Sequence, residues 1–223
     1  HTPMGAQGLN TGVQDAYNLG WKLQQVLNGA PDSLLDTYEA ERQPIAAAVL
    51  ETSTKKYEAA ARADEESLER GKDEQQLLIT YRAGPLGRGS LPGTSRLDIG
   101  DRAPDAALLT ANGSPTSLHA LLQGPHFSLI AYGPEAAAAL DMLSWPSTGA
   151  RLKRFVVDSE FGSGADSVQE NNLQDAEGSL RTIYGFESDA VIFVRPDGYI
   201  AHICSDSDID ELNKVISKLT PSA

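Results

Sequence analysis

A stretch rich in glycine and proline, between Tyr81 and Pro104, constrains the fold of this chain more than any other feature. It contains Gly84, Pro85, Gly87, Gly89, Pro92, Gly93 and Gly100. Glycine and proline at this density cannot sustain a helix or a central strand, so we expect an extended linker there. The sequence therefore predicts a helical segment over residues 1–82, a linker over 83–98 and a second domain over 99–223.

The first helix of the helical segment shows a periodic apolar pattern. Apolar residues recur at steps of three and four, which predicts that one helix face is buried by Val13, Ala16, Leu19, Leu23 and Val26. Thr11 and Gln14 have the spacing of a capping box at the start of this helix. The dipeptide Asn28-Gly29 indicates its end.

A second helix is expected to follow from about Ser33. Proline within a helix removes one backbone hydrogen bond, so we expect an interruption near Pro44. Just before it, Arg42 stands close to Glu41 and Glu39 in the sequence. We interpret these three residues as a salt-bridge group that packs helices together, and not as catalytic residues.

The segment after the linker alternates between α and β patterns. Short apolar stretches indicate buried strands at residues 127–132, 154–157, 190–194 and 199–204. The last two are separated by Arg195-Pro196-Asp197-Gly198, which is typical of a turn. Helical patterns are clearest at 135–143 and 208–219. The predicted fold class is α/β, with a helical segment followed by a small sheet domain.

Charge and composition argue against several kinds of partner. Thirty-one acidic and eighteen basic residues give a formal net charge of −13, which repels nucleic acid and anionic membranes. No apolar run approaches the roughly 20 residues that span a bilayer, and residues 1–5 lack signal-peptide character, so we expect a cytoplasmic protein. The single cysteine, Cys204, excludes an internal disulfide, and the four histidines show no metal-ligand spacing. We expect no metal site.

A glycine-rich loop that leads into the first helix is the segment most suggestive of ligand binding. Its candidate residues are Pro3, Met4, Gly5, Gly8, Leu9 and Asn10. Glycine lets the backbone approach a ligand closely, and a helix N-terminus offers unpaired N–H donors with about half a unit of positive charge. An ordinary connection into a helix has the same pattern, and loop shape alone does not separate the two.

Three runs of the sequence resemble one protein family. Residues 3–23 resemble the stretch that follows the Gly-Asp motif in class A flavoprotein monooxygenases, the group of phenol hydroxylases, para-hydroxybenzoate hydroxylase and aromatic polyketide hydroxylases. Residues 34–44 (Leu-Leu-Asp-Thr-Tyr-Glu-Ala-Glu-Arg-Gln-Pro) and 195–201 (Arg-Pro-Asp-Gly-Tyr-Ile-Ala) are similar to the same family. Matches in this order, spread over nearly the whole chain, point to the C-terminal part of a phenol or polyketide hydroxylase.

The resemblance implies an aromatic-ring monooxygenase with FAD as cofactor, NAD(P)H as co-substrate and an aromatic small molecule as substrate. The backbone amides of Leu9 and Asn10 would face the pyrimidine edge of the flavin, where negative charge appears on reduction. Residues 3–5 would lie along the ring, and Gly8 would leave room for it. The resemblance identifies no catalytic side chain in this chain.

Two motifs of the family are missing from these 223 residues. The Gly-x-Gly-x-x-Gly fingerprint that seats the pyrophosphate does not occur, and the dipeptide Gly100-Asp101 lies far from the position of the family's Gly-Asp motif. The FAD-binding and substrate-binding parts that carry these motifs are therefore expected upstream of His1. Residues 1–82 would then be the C-terminal helical segment of an FAD-binding domain.

Residues 99–223 resemble a thioredoxin-like domain, from Gly100 to Asp105 at its start and in its closing strand pair. Redox work in that fold requires a cysteine of low pKa at the helix N-terminus after the first central strand. That strand ends here in Ala131-Tyr132-Gly133-Pro134, and Cys204 is expected to be a buried apolar residue. We therefore predict a domain for association, and a homo-oligomer. A non-catalytic association module without redox activity is the alternative function.

Overall fold

The computed structural model describes residues 8–61, 76, 78–82, 84–87, 97–158, 171–205 and 209–221. The helices in this part of the chain are α1 (Gly8–Leu27), α2 (Ser33–Ala61), α3 (Leu118–Leu121), α4 (Pro134–Asp141), α5 (Ser179–Tyr184) and α6 (Ile209–Leu219). The strands are β1 (Ala107–Thr110), β2 (Pro115–Ser117), β3 (Phe127–Tyr132), β4 (Leu152–Val157), β5 (Asn172–Gln174), β6 (Ala190–Val194) and β7 (Ile200–Ser205). The predicted α/β fold class is confirmed.

Helices α1 and α2 form a helical hairpin. The turn between them includes Gly29, whose φ of 104° lies in the region that favours glycine. The predicted interruption at Pro44 is wrong, because α2 runs continuously from Ser33 to Ala61 with Pro44 inside it. An internal proline costs a helix about 3 kcal/mol, and packing against neighbouring elements offsets such a local cost. Here the residues just before Pro44, Glu41 and Arg42, are buried against α1.

The predicted burial of α1 is also wrong. Val13, Ala16 and Leu23 are exposed, and the buried positions of α1 are Thr11, Asn18, Trp21, Lys22 and Gln25. The helix therefore turns a largely polar face inward. Such burial is tolerated only where polar groups find hydrogen-bond partners.

The predicted capping box does not form either, because α1 begins at Gly8 and not at Thr11. The Thr11 hydroxyl accepts a hydrogen bond from Gln76 Nε2 at 2.9 Å, and Gln14 Nε2 donates to Gln76 Oε1 at 2.8 Å. Both residues thus bond to a distant part of the chain. Local spacing could not reveal this partner.

The strands form a mixed sheet with the order β2-β1-β5-β4-β3-β6-β7 within the described residues. β3 pairs in parallel with β4 and antiparallel with β6, and β6 and β7 form an antiparallel pair. The four strands expected from apolar stretches are confirmed. The short strands β1, β2 and β5 were missed, because three or four residues carry too little pattern.

Both faces of the sheet are covered. One face packs Phe127, Leu129 and Phe193 against α4, α6 and the hairpin, where Trp21 meets the Phe127 ring edge-on at 5.7 Å between ring centres. The other face packs Ile130 and Ile192 against α3 and α5. The helical hairpin therefore shares a hydrophobic core with the sheet.

The ends of the glycine- and proline-rich stretch lie side by side. The Tyr81 N–H donates to the Gly100 carbonyl at 2.7 Å, and the Gly84 N–H donates to the Tyr81 carbonyl at 2.8 Å. A Cβ atom on Gly100 would lie 2.6 Å from the Tyr81 carbonyl carbon, and the φ of Gly100 is 90°. Glycine is needed here for close approach and for backbone conformation. The division into domains at residues 83–98 stays a prediction.

The helices in the described ranges include none that is both long and apolar enough to cross a membrane. The described residues also contain no group of three or more His, Cys, Asp or Glu side chains placed to hold a metal ion.

Candidate functional site

The N-terminus of α1 carries three of the predicted flavin-site residues. Gly8 is half-buried, Leu9 is 79% exposed and Asn10 is exposed. The first turn contains no acidic residue. The first amides of a helix have no intrahelical carbonyl partner, so this end offers N–H donors and partial positive charge to an approaching ligand. Pro3, Met4 and Gly5 lie outside the described residues.

An apolar stripe runs along the outer face of α1. Leu9 and Leu27 are 79% and 77% exposed, and Val13 and Leu23 are 61% and 42% exposed. The spacing of these residues places them on one side of the helix, together with Ala16. A contiguous apolar surface of this kind marks an interaction site more often than single exposed apolar residues do.

The inner face of α1 meets an arginine of α2. Arg42 Nε donates to Asp15 Oδ1 at 2.6 Å, and Arg42 Nη1 donates to the Tyr81 hydroxyl at 2.9 Å. Burial raises the pKa of Tyr81 and the neighbouring Tyr199 adds to this, while the Arg42 guanidinium acts in the opposite direction. Tyr81 is therefore a neutral hydrogen-bonding group.

Glu41 is the centre of a second, fully buried set of charges. Its carboxylate accepts hydrogen bonds from Arg195 Nη1 at 2.6 Å and Nη2 at 3.0 Å. It also accepts one from Lys22 Nζ at 2.8 Å. The side chains of all three residues are at most 1% exposed. A guanidinium bound through two nitrogens fixes direction as well as distance.

Asp197 completes this set. Arg195 Nε donates to Asp197 Oδ1 at 2.9 Å, and Trp21 Nε1 donates to Oδ2 at 3.0 Å. Asn18 Nδ2 donates hydrogen bonds to both carboxylates, to Glu41 Oε2 at 2.9 Å and to Asp197 Oδ2 at 3.1 Å. We call Lys22, Glu41, Arg195 and Asp197 the buried charge cluster. Two cations and two anions give it no net charge.

Burial and pairing act against each other in this cluster. Burial alone would raise the pKa of Glu41, but the neighbouring Arg195 and Lys22 charges and their hydrogen bonds lower it to about 2. Burial lowers the pKa of Lys22 to about 8, although the Glu41 carboxylate acts to raise it. Glu41 therefore remains an anion at neutral pH, which keeps the Arg195 guanidinium paired.

Aromatic rings enclose the Arg195 guanidinium. Its central carbon lies 5.2 Å from the ring centres of Trp21 and Tyr81 and 5.7 Å from that of Tyr199. Cation–π contacts of this kind are stronger where water is excluded. Arg195 is thus held by two carboxylates and lies over three aromatic rings.

The N-terminus of α4 is the position where thioredoxin-like proteins carry a reactive cysteine, and here a carboxylate binds to it. β3 leads through Gly133 into α4, and the Asp189 carboxylate accepts the backbone N–H groups of Glu135 at 2.6 Å and Ala136 at 3.3 Å. A carboxylate already neutralises the positive end of this helix. Cys204 is buried in β7, 4% exposed, which agrees with its interpretation as a buried apolar residue.

The charged residues that are buried and paired in the structure are only partly those that the sequence predicted. Glu41 and Arg42 were expected in a salt-bridge group, and both are buried and paired, whereas Glu39 is exposed. The roles of Lys22 and Asp197 were missed, because a lysine opposite an apolar stripe and an aspartate in a turn both normally face water. The only sequence signal was that all these residues lie in the family-like runs.

Two family models match the chain. Residues 1–53 match the FAD binding domain, and residues 100–219, more than half of the chain, match the HcaD C-terminal domain. The chain therefore belongs to the family of proteins that carry the HcaD C-terminal domain.

Individual relatives agree with this assignment. A flavin-dependent monooxygenase of Mycobacteroides abscessus is 46% identical over 145 residues, which are 64% of this chain and 28% of that protein. The 12-dehydrotetracycline 5-monooxygenase/anhydrotetracycline 6-monooxygenase of Streptomyces rimosus is 33% identical over 90% of this chain and 37% of its own length. This chain spans less than half the length of these two relatives.

A solved structure shares the fold over nearly the whole chain. The ternary complex of aklavinone-11 hydroxylase with FAD and aklavinone matches with a TM-score of 0.69 and 25% identity, covering 97% of this chain and 41% of that one. The match includes the hairpin as well as the sheet, so the hairpin and sheet together form a unit that a larger flavoprotein also contains.

Proposed function

We propose that this chain is the C-terminal part of an FAD- and NAD(P)H-dependent monooxygenase that hydroxylates an aromatic small molecule of phenolic or polyketide type. The observation that carries the proposal is the match of residues 1–53 to the FAD binding domain, together with the open N-terminus of α1. Relatives named for aromatic and polyketide oxygenation, among them the tetracycline enzyme, support the substrate class.

The start of α1 supports a role at one edge of a flavin. The α1 N-terminus has no acidic side chain in its first turn, and Leu9 is exposed to solvent. Amides at this end can donate hydrogen bonds to a polarised carbonyl or to a negatively charged group. Bound FAD would supply the redox and oxygen chemistry. The Leu9 and Asn10 amides would stabilise negative charge at the pyrimidine edge, while residues 3–5 would lie along the ring and Gly8 would leave room for it.

In this proposal, the remaining parts of the flavin site and the substrate site come from an N-terminal part of a longer protein. The exposed stripe of Leu9, Val13, Leu23 and Leu27 on α1 is the surface that such a part would cover. Covering it would remove apolar area from water, which contributes about 25 cal/mol for each Å². The chain's share of the two relatives' lengths, 28% and 37%, leaves room for this part.

Flavin content tests this proposal. We expect the longer protein to be purified yellow with one FAD per chain, and residues 1–223 alone to bind FAD weakly or not at all. Absorbance at the flavin band and equilibrium dialysis with FAD measure both. A colourless longer protein that takes up no added FAD would refute the proposed function, and tight binding by residues 1–223 alone would refute the proposed division of the site.

A second candidate is a non-catalytic, redox-inactive association module. The carboxylate of Asp189 at the N-terminus of α4 and the burial of Cys204 favour it for the sheet domain. We expect background rates of insulin and peroxide reduction for the wild type and for Cys204→Ser. Light scattering is expected to give a mass above the 23.8 kDa of one chain. A monomer at tens of micromolar would contradict the association role.

A further inference from the structure

One turn of the sheet reaches into the helical hairpin. The segment from Arg195 to Gly198 connects β6 with β7 and is closed by a hydrogen bond from the Gly198 N–H to the Arg195 carbonyl at 2.9 Å. Both charged side chains of this turn are at most 4% exposed, and both bond to the hairpin. The turn therefore does more than reverse the chain.

The contacts of this turn fall at the middle of α1. Asn18, Trp21 and Lys22 are successive residues of one inner face, and each bonds to Glu41 or Asp197. One turn further on, the Gln25 side chain accepts the Ala150 N–H at 2.6 Å and donates to the Leu219 carbonyl at 3.0 Å. Rotation of α1 about its axis would break several of these bonds at once.

The amino-acid pattern of α1 favours a different orientation. Its apolar stripe would bury more apolar area if it faced the sheet, yet the stripe faces outward. Apolar contacts tolerate sliding and rotation of a helix. A guanidinium that binds one carboxylate through two nitrogens has a fixed geometry, and such movements would break it. The buried charge cluster therefore selects the observed orientation, a use of buried charges that is well attested for register in other proteins.

We propose that the Arg195–Gly198 turn is a positioning element that sets the rotation of α1 about its axis, and through it the position of the Leu9 and Asn10 amides. Arg195, Asp197 and Glu41 are then positioning residues, and not catalytic ones. The part of this inference that concerns flavin rests on the proposed function. The part that concerns α1 does not.

Hydrogen exchange on residues 1–223 tests the positioning of α1 without any flavin. We expect Arg195→Lys and Asp197→Asn to speed amide exchange in α1 by more than about tenfold, and to speed exchange in β3 and β4 much less. Arg102→Lys is the matched control, because the Arg102 guanidinium lies 5.7 Å from the Tyr199 ring but outside the cluster. Unchanged exchange in α1 would overturn the proposal.

A milder variant covers the case in which the charge variants do not fold. Trp21→Phe removes the hydrogen bond to Asp197 and leaves every charge paired, so we expect the same faster exchange in α1 to a smaller extent. If all three variants lose protection in β3 as much as in α1, the turn supports the whole fold, and the specific positioning role is wrong.

The link between α1 and the flavin is tested on the longer protein. At saturating FAD, Arg195→Lys is expected to alter the flavin absorption spectrum and to slow flavin reduction by about tenfold, with Arg102→Lys as the control. A variant with fast-exchanging α1 and an unaltered flavin spectrum would overturn the link to flavin. Absence of FAD from the wild type would refute the proposed function and leave the exchange result standing.

Discussion

The carboxylate of Glu41 in the helical hairpin accepts both terminal nitrogens of Arg195 in the sheet, at 2.6 and 3.0 Å, with both side chains at most 1% exposed. The two residues are 154 positions apart in the sequence. This pair joins two parts of the chain that match different family models. It makes the stability of one part depend on the other.

Replacing one member of this pair is expected to be costly. Glu41→Gln leaves the Arg195 and Lys22 charges buried with too little negative charge, and breaking a buried pair from one side costs about 3–5 kcal/mol. Urea unfolding measures the change in free energy. Glu211→Gln is the control, because its pair with Lys214 is exposed and such pairs contribute about 0–1 kcal/mol. Equal losses in the two variants would contradict a special role for Glu41.

The effect of Glu41 is expected to depend on pH in a defined direction. Because the pKa of Glu41 is about 2 in the folded protein and near its ordinary 4.5 when unfolded, the unfolded state binds the proton more tightly. The stabilisation from Glu41 is then complete above about pH 4.5 and lost as the pH falls towards 2. The difference in unfolding free energy between wild type and Glu41→Gln should shrink over this window. A difference that stays constant from pH 6 to pH 2.5 would contradict the assignment.

Gly133 is expected to be intolerant of any side chain. Its φ is 89°, and a Cβ atom would collide with the Asp189 carboxylate that caps α4. Gly113 is a matched control, with a φ of 79° and nothing within 4 Å of its Cβ position. Gly113→Ala should cost about 1 kcal/mol from the backbone alone, and Gly133→Ala about 1–3 kcal/mol more from the collision. Similar melting temperatures for the two variants would show that the capped turn yields without cost.

Gly8 tests the proposed flavin edge in the longer protein. A valine there would place a branched side chain at the start of α1, where the ring is proposed to approach the backbone. The side chain would push the backbone, and with it the N–H donors, away from the ring. Losing a donor where charge develops costs about 3 kcal/mol, so flavin reduction should slow by about a hundredfold at saturating FAD. Stopped-flow absorbance measures the rate, with Gly20→Val further along α1 as the control. Equal rates for wild type and Gly8→Val would mean that the loop lies elsewhere.

Much of the fold and part of the site could be predicted from the amino-acid sequence. The strands β3 and β6 are almost entirely apolar and β4 and β7 contain shorter apolar stretches. Both faces of the sheet are covered, and such stretches need no partner to be recognised. The turn from Arg195 to Gly198 could be predicted as well, because proline, aspartate and glycine each favour turn conformations. The family was recognisable because its motifs are contiguous in sequence.

Tertiary structure alone decided which face of α1 is buried and how Pro44 is accommodated. A periodic apolar pattern normally predicts the inner face of a helix, but here Glu41, Arg195 and Asp197 supply partners for Lys22, Asn18 and Trp21. These partners come from residues 19 to 179 positions away along the chain. Burial of a polar face depends on hydrogen bonds that exist only after the chain has folded, so no local pattern could have predicted it.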